Sequence, residues 1–255
     1  MKNWLVLIVL FVIGCASSQE APNDTPFDHI ADSKAKDILS RAMKQSGGLE
    51  NWWAIDSMQY MKRSILYHPD SSKESDVLQK HFYRFNPRFT ADISWRVDTT
   101  SHAIVFTEND VIKLLKDQPV VADKEKLRQS VMSALYVLAQ PYKLIDAGTI
   151  LTYKGQTTLR NGSTVNVIEA RYNPADHENH STQDLWWYYF NVKSGYFEGS
   201  MVYHAPTYAL LENLSFDNSA PVLFHKKRKS YRSDSLGNIE YLRAEFDYYD
   251  YKVWQ

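Results

Sequence analysis

The feature that most constrains this chain is an alternation of apolar and polar residues with a period of two, which begins at Met58 and returns along most of the sequence. This period is typical of β-strands that bury one face. The last such segment alternates without a break from Leu242 to Tyr248. The predicted strands cover residues 58–68, 77–85, 89–97, 102–107, 149–159, 164–172, 184–193, 196–204, 209–216, 222–232 and 239–254. Strands joined by short turns, with Asn161-Gly162 as the favoured two-residue hairpin, indicate a mainly β (α+β) fold built on a single large curved antiparallel sheet.

Two segments repeat their apolar residues with the 3.6-residue period of a helix instead. The first is predicted over residues 33–45, with Asp32 or Ser33 as its N-cap and a glycine pair after its end. The second is predicted over residues 124–140, where Pro141 stops it. Its apolar stripe consists of Leu127, Val131, Ala134, Leu135 and Leu138. The second half of this helix is apolar nearly all round, so we expect the concave side of the sheet to bury it on several sides.

The beginning of the chain has the pattern of an exported protein. Lys2 precedes an unbroken apolar run over residues 4–13, which resembles a secretory signal peptide and is too short for a transmembrane helix. Residues 12–15, Val-Ile-Gly-Cys, resemble the lipobox of bacterial lipoproteins. That resemblance implies removal of residues 1–14, a diacylglycerol on Cys15 and a lipid anchor to a membrane. The alternative is an ordinary signal peptide in which Cys15, the only cysteine of the chain, occurs by chance.

Composition divides the mature chain into two parts. Residues 15–29 carry the lipidated cysteine and a polar stretch that is predicted to be a flexible tether. Residues 30–255 are predicted to form one domain. Since there is no second cysteine to form a disulfide, its stability must come from an apolar core, and a hydrophobic content of 44% is sufficient for one. The formal net charge of −1 argues against nucleic acid as a partner.

Two polar motifs have alternative interpretations. The segment His177–His180, with the sequence His-Glu-Asn-His, could bind a metal through two imidazoles, but a solvated hairpin loop is favoured and no metal is expected. The basic run His225–Lys229 could contact anionic lipid headgroups. A solvated strand is again favoured, because no other basic cluster accompanies this run.

A third motif is aromatic. The segment Leu185–Val192, with the sequence Leu-Trp-Trp-Tyr-Tyr-Phe-Asn-Val, is apolar or aromatic on both faces of a strand, as in a strand covered on both sides. One side could face a ligand cavity, or both could belong to a thick core, and the two alternatives stay open here. The sequence contains no nucleophile elbow, phosphate loop or dinucleotide fingerprint, and no spaced carboxylate pair suited to acid–base work. We therefore expect neither an enzyme nor a cofactor.

Three segments resemble the LolA/LolB-like domains of bacterial lipoprotein carriers, in an uncharacterised branch of that group. They are residues 47–60 (GGLENWWAIDSMQY), 135–146 (LYVLAQPYKLID) and 190–203 (FNVKSGYFEGSMVY). The resemblance implies an unclosed β-barrel with two helices packed on or in its concave side, around an apolar hollow. In the carriers this hollow holds the acyl chains of lipoproteins.

These expectations leave two functions. The first is a membrane-anchored bacterial lipoprotein that binds an apolar or lipid ligand in a half-barrel cavity. The second is a cell-envelope scaffold or protein-interaction module with a filled core, and the presence of a hollow distinguishes the two. The candidate ligand-binding residues are Leu127, Val131, Leu135, Leu138, Trp186, Tyr188 and Phe190. The expected location is the bacterial envelope, on the outer membrane and facing the periplasm.

Overall fold

A computed structural model describes residues 26–173 and 184–255 of the chain. In these ranges, thirteen strands form one antiparallel sheet that does not close on itself. The strands are β1 (Ser57–Tyr67), β2 (Lys73–Arg84), β3 (Thr90–Val97), β4 (Thr100–Phe106), β5 (Val111–Leu115), β6 (Gln118–Val120), β7 (Thr149–Thr158), β8 (Thr164–Tyr172), β9 (Leu185–Asn191), β10 (Phe197–His204), β11 (Thr207–Asp217), β12 (Phe224–Ser233) and β13 (Ile239–Trp254). The sheet is curved into a half-barrel.

The sheet consists of two meanders that meet at its centre. Strands β1 to β6 follow one another outward in one direction, strands β13 to β7 follow in the other, and β1 pairs with β13. In that central pair Met58 lies opposite Val253 and Ser64 lies opposite Phe246, with a register shift between Gln59 and Met61. The two edges are β6 and β7, which are neighbours in the chain, so the segment between them must cross the opening of the half-barrel.

Within the described residues, three helices and one 3-10 turn accompany the sheet. They are α1 (Ser33–Gln45), α2 (Leu49–Trp53), α3 (Lys124–Leu138) and the 3-10 turn Tyr142–Ile145. Helix α3 lies in the segment between the two edges. Asp123 caps its first turn by accepting the N–H of Lys126 at 3.2 Å. The apolar faces of α1 and α3 pack into the concave side, where they share one core with side chains of both meanders.

The aspartate before α1 also ties this helix to an edge of the sheet. One carboxylate oxygen of Asp32 accepts the N–H of Ala35 at 3.0 Å and caps α1. The other oxygen accepts the N–H of Tyr153, on edge strand β7, at 2.8 Å. Both bonds favour the ionised form, and they lower the pKa of Asp32, with the Tyr153 bond as the larger cause. Asp32 therefore satisfies a backbone donor that this edge would otherwise leave open.

The structure confirms the predicted fold class and differs from the sequence interpretation in detail. Helix α1 has the predicted bounds, whereas α3 ends at Leu138 and not at residue 140. Its last bond is the Ala139 N–H to the carbonyl of Leu135, at 2.9 Å. Helix α2 and strands β5 and β6 have no counterpart among the predicted elements, because segments of five residues or fewer carry too little periodicity.

The hairpin between β7 and β8 also differs from its prediction. Its loop is three residues long instead of two, because the N–H of Leu159 donates to the carbonyl of Ser163 at 2.9 Å. Gly162 ends the loop with φ at +83°, in the left-handed region, as three-residue hairpin loops require. The Asn-Gly pair thus marks the turn correctly but does not set its length.

Candidate functional site

A cavity of about 540 Å³ opens on one half of the concave side. Its volume lies in the range of small-molecule sites, roughly 300–1,000 Å³. It is bounded by α2, by the ends of β2, β3 and β4, and by α3. The lining residues are Trp52, Trp53, Ile55, Phe85, Asn86, Phe89, Phe106, Arg128, Met132, Leu135 and Lys143. No carboxylate is among them, and five of the eleven are aromatic.

The aromatic wall is a chain of ring contacts. Trp52 stacks on Tyr142 with ring centroids 5.1 Å apart and planes within 2° of parallel. Phe85 packs against Trp52 at 5.8 Å, and Phe89 meets the ring of Phe106 edge-on at 5.3 Å. Aromatic side chains have few rotamers and hold one another in place, so these rings cannot collapse into the space between them. These ring contacts therefore support the wall of the cavity.

Two glycines direct the tryptophans of α2 to the rim. Gly47 has φ at +109°, and a Cβ atom there would lie 2.5 Å from the carbonyl oxygen of Pro221, so the position requires glycine. Gly48 donates its N–H to the carbonyl of Met43 at 2.9 Å and turns the chain out of α1. Helix α2 then starts at once, and Trp53 remains 54% exposed beside the cavity mouth.

The cavity has two cationic side chains, of which one is paired with a carboxylate and the other packs on an aromatic ring. The Nζ atom of Lys143 lies 2.9 Å from a carboxylate oxygen of Asp146, which compensates its charge. The guanidinium of Arg128 lies over the ring of Phe106, 4.9 Å from its centroid. Arg128 forms no salt bridge within the described ranges of the chain. The amide of Asn86 is also occupied, because it donates to Asp56 at 2.9 Å.

Of the predicted ligand-binding residues, Leu135 lines this cavity. Leu127 and Trp186 are partly buried and pack against the main core. The remaining predicted residues are almost completely enclosed by other side chains of the core: Val131, Leu138, Tyr188 and Phe190. The structure therefore brings together part of the predicted helix face with aromatic residues from another part of the sheet.

The enclosed residues surround a cluster of tyrosine hydroxyls. Tyr136 on α3 hydrogen-bonds to Tyr188 on β9 at 2.8 Å and also to Tyr172 on β8, which lies 3.2 Å from Tyr188. Trp186 stacks on Tyr188 with ring centroids 5.7 Å apart. Burial raises the pKa of Tyr172 to about 12, so the cluster stays protonated near neutral pH. This half of the concave side is filled by the protein itself.

Sequence reasoning missed the aromatic lining of the cavity. Trp52 and Trp53 lie in a segment quoted for the family resemblance but were not singled out as ligand-binding residues. The available signal was the aromatic density of residues 82–89, next to that tryptophan pair. It could not be combined with α3, because nothing in the sequence places Phe106 beside Arg128.

The basic run His225–Lys229 lies within β12 and splits between the two faces of the sheet. On the convex face Lys227 pairs with Asp247 at 3.2 Å and Lys229 pairs with Glu245 at 3.0 Å, both across to β13. His225 and Arg228 point inward and are buried. The Arg228 guanidinium donates to the carbonyl of Val137, near the end of α3, at 3.1 Å. These pairings favour the strand interpretation over a lipid-headgroup site.

The metal and membrane predictions concern other parts of the chain. The segment His177–His180 lies outside the described residues. In the described ranges no cluster of three His, Cys, Asp or Glu side chains could hold a metal ion. No helix within residues 26–173 or 184–255 combines the length and apolar character needed to cross a bilayer.

Solved structures share this architecture. The chain resembles the LolA superfamily protein NE2245 from Nitrosomonas europaea, at 13% identity and a TM-score of 0.55, over 87% of this chain and 94% of the other. A DUF1329 family protein from Desulfovibrio piger matches at 9% identity and a TM-score of 0.55, over 86% and 92% of the two chains. A domain assigned to outer membrane lipoprotein sorting from Vibrio parahaemolyticus matches at 11% identity and a TM-score of 0.54, over 87% and 94%.

The chain therefore has a fold similar to that of a solved LolA superfamily protein, as the sequence resemblance predicted. Among curated proteins, none matches the sequence. A family model matches residues 31–208, more than half of the chain, and its family is described as one of unknown function, DUF6503. The protein belongs to that family.

Proposed function

We propose that this protein is a lipoprotein of the bacterial envelope that is held to a membrane by a lipid on Cys15 and binds an apolar or lipid ligand in its concave cavity. The observation that carries the proposal is the cavity of about 540 Å³ with its wall of packed aromatic rings. Each methylene of an acyl chain that leaves water for such a site contributes about 0.8 kcal/mol.

The structural neighbours support the same assignment from a different side. Their names place them in the LolA superfamily and in lipoprotein sorting, and the overall fold is the feature this chain shares with them. An export signal, a lipobox and a polar tether would place the domain on the outer membrane, facing the periplasm. We extend both the location and the ligand class to this chain as parts of the proposal.

Photochemical labelling tests the ligand. The full chain in phosphatidylcholine vesicles is irradiated with a diazirine-bearing fatty acid, and the labelled peptides are identified by mass spectrometry. We expect saturable labelling of peptides that contain Trp52, Phe89 or Met132, and loss of that label with excess unlabelled fatty acid. Labelling confined to residues 15–29, or labelling that does not saturate, would contradict the proposal.

The same experiment also tests the second candidate function, an envelope scaffold with a filled core. One observation favours this alternative: Val131, Leu138 and Tyr188, three of the predicted ligand residues, are almost completely enclosed by other side chains of the core. A scaffold predicts no saturable labelling anywhere in the domain and stable capture of an envelope protein by cross-linking in cells.

The anchor has its own test, because Cys15 is the only thiol of the chain. We expect the variant Cys15→Ser to accumulate as an uncleaved precursor that takes up no radiolabelled palmitate. A serine variant that still takes up the label would refute the lipobox interpretation. A control substitution of the neighbouring Ser17 should leave both cleavage and labelling unchanged.

A further inference from the structure

The charge around the cavity specifies its ligand further. Neither Asp nor Glu lines the cavity, whereas two cationic side chains do. Lys143 is compensated by Asp146 at 2.9 Å, which leaves Arg128 as the cation that faces the cavity without a carboxylate in the described ranges. An apolar chamber with one uncompensated cation at its wall fits a molecule with an apolar chain and an anionic head.

The neighbours of Arg128 on α3 show that the missing partner is specific to this residue. Lys124 pairs with Asp110 at 2.7 Å, and Lys126 lies 3.7 Å from a carboxylate oxygen of Asp123. Gln129 donates to Glu125 at 3.0 Å. The polar turns of the helix thus place their other long side chains against partners on the protein surface, and only the residue that faces the cavity lacks an anion among the described residues.

The geometry of Arg128 suits an oxyanion. Its guanidinium is held against the ring of Phe106, at 4.9 Å from the centroid, which fixes the plane of the group and shields one face. The guanidinium has five N–H donors in a planar fork, and this fork matches the two oxygens of a carboxylate or a phosphate. A ligand bound there would extend its chain along the rings of Phe89 and Trp52.

We propose that the cavity selects anionic single-chain amphiphiles and that Arg128 binds their carboxylate or phosphate head. This inference rests on the proposed function, because it requires that an apolar chain enters the cavity. It adds the class of head group and the residue that recognises it.

The test compares ligands that differ only in the head. Diazirine-bearing forms of hexadecanoate, hexadecyl phosphate and hexadecanol are titrated against the full chain in phosphatidylcholine vesicles, and half-saturation of the cavity label is measured. We expect both acids to saturate at a concentration at least about tenfold lower than the alcohol, since a charge-assisted pair is worth at least that factor. The more strongly retained acid identifies the head group as carboxylate or phosphate.

Variants separate head-group binding from wall structure. Arg128→Gln should raise half-saturation for the acids to the value of the alcohol and leave the alcohol unchanged. Arg128→Lys should retain part of the preference, because it keeps the charge and loses the fork. Lys126→Gln, which removes an exposed cation from the same helix, should change neither value. Circular dichroism and thermal unfolding confirm that each variant is folded.

Each alternative result has a distinct meaning. If the acids and the alcohol saturate at the same concentration in the unmodified chain, or if Arg128→Gln weakens all three ligands equally, the head-group assignment is wrong and the apolar site stands. If no ligand labels the cavity in a saturable way, the proposed function itself fails, and the assignment of Arg128 fails with it.

Discussion

The two halves of the concave side are both rich in aromatic side chains, but one half is filled and the other contains a cavity. The filled half lies against β7 to β13 and is occupied by α1, by the last turns of α3 and by the cluster of Tyr136, Tyr172 and Tyr188. The open half lies against β2 to β4 and is bounded by α2 and the earlier turns of α3. Both halves are rich in aromatic rings, and the cavity of about 540 Å³ lies in the open half.

The difference shows that aromatic content alone does not decide whether a half-barrel is hollow. In the filled half, tyrosine rings point at one another, and their hydroxyl groups find partners at the centre. In the open half, Phe85, Phe89 and Phe106 pack ring against ring along the wall and leave the centre free. Helix α3 serves both halves, with Met132 on the cavity and Leu138 in the core.

The largest expected effect comes from truncating α3 in each half. Leu138→Ala should lower the free energy of unfolding by about 2–5 kcal/mol, because Leu138 is 1% exposed and its loss leaves a cavity in a packed core. Met132→Ala is the matched control on the cavity side. It should cost no more than about 1 kcal/mol and should alter labelling by the fatty acid probe, since its side chain already borders free space. Equal costs in urea unfolding would mean that the open half is packed in solution.

The next effect is a loss of stability in mild acid. His81 on β2 and His225 on β12 are buried, and desolvation holds the pKa of each well below the ordinary value of about 6.5. In mild acid the two histidines therefore bind protons in the unfolded chain and stay neutral in the folded chain. The free energy of unfolding is therefore unaffected by the histidines above pH ~6.5. It falls as the pH drops below that value, by up to about 1.4 kcal/mol per pH unit for each histidine.

Urea unfolding at several pH values between about 5 and 7.5 measures this slope. His81→Gln and His225→Gln should each reduce this slope by up to about 1.4 kcal/mol per pH unit, which corresponds to one proton. His29→Gln, at an exposed position, should leave the slope unchanged. The two variants also compare the halves. If water from the open cavity reached His81, only the His225 variant would flatten the profile.

The smallest expected effect concerns the hydroxyl cluster of the filled half. Tyr188→Phe removes a hydroxyl that hydrogen-bonds to Tyr136 at 2.8 Å and lies 3.2 Å from the hydroxyl of Tyr172. We expect a loss of about 1–2 kcal/mol with no change in probe labelling, because the ring and its packing remain. Tyr203→Phe, whose ring packs at a tilt against Tyr208 on the other arm of the hairpin, should cost close to nothing. A change in labelling for Tyr188→Phe would mean that the ligand also reaches the filled half.

Most elements of the fold could be predicted from the sequence because their causes are local. A period of two, a period of 3.6, a capping aspartate and glycine turns act within a few residues, and these signals predict α1 with its observed bounds and most strands. The exceptions are short: β5 and β6 at one edge, and α2 at the rim of the cavity. Of the candidate site, the sequence identified Leu135 and the helix that carries it.

The sequence by itself thus determined a large curved antiparallel sheet with two packed helices, since hydrophobic periodicity dictates which face of each element is buried. The half-barrel was what the family resemblance implied. Only the tertiary structure decided where the interior is hollow. A cavity is space left unfilled by side chains that are far apart in the chain, such as Trp52, Phe106 and Leu135, and no local pattern encodes the volume between them. The same holds for charge, because the fold decides which carboxylate lies near Lys143 or Arg128. That pairing distinguishes the compensated lysine of the cavity from the arginine we assign to the ligand.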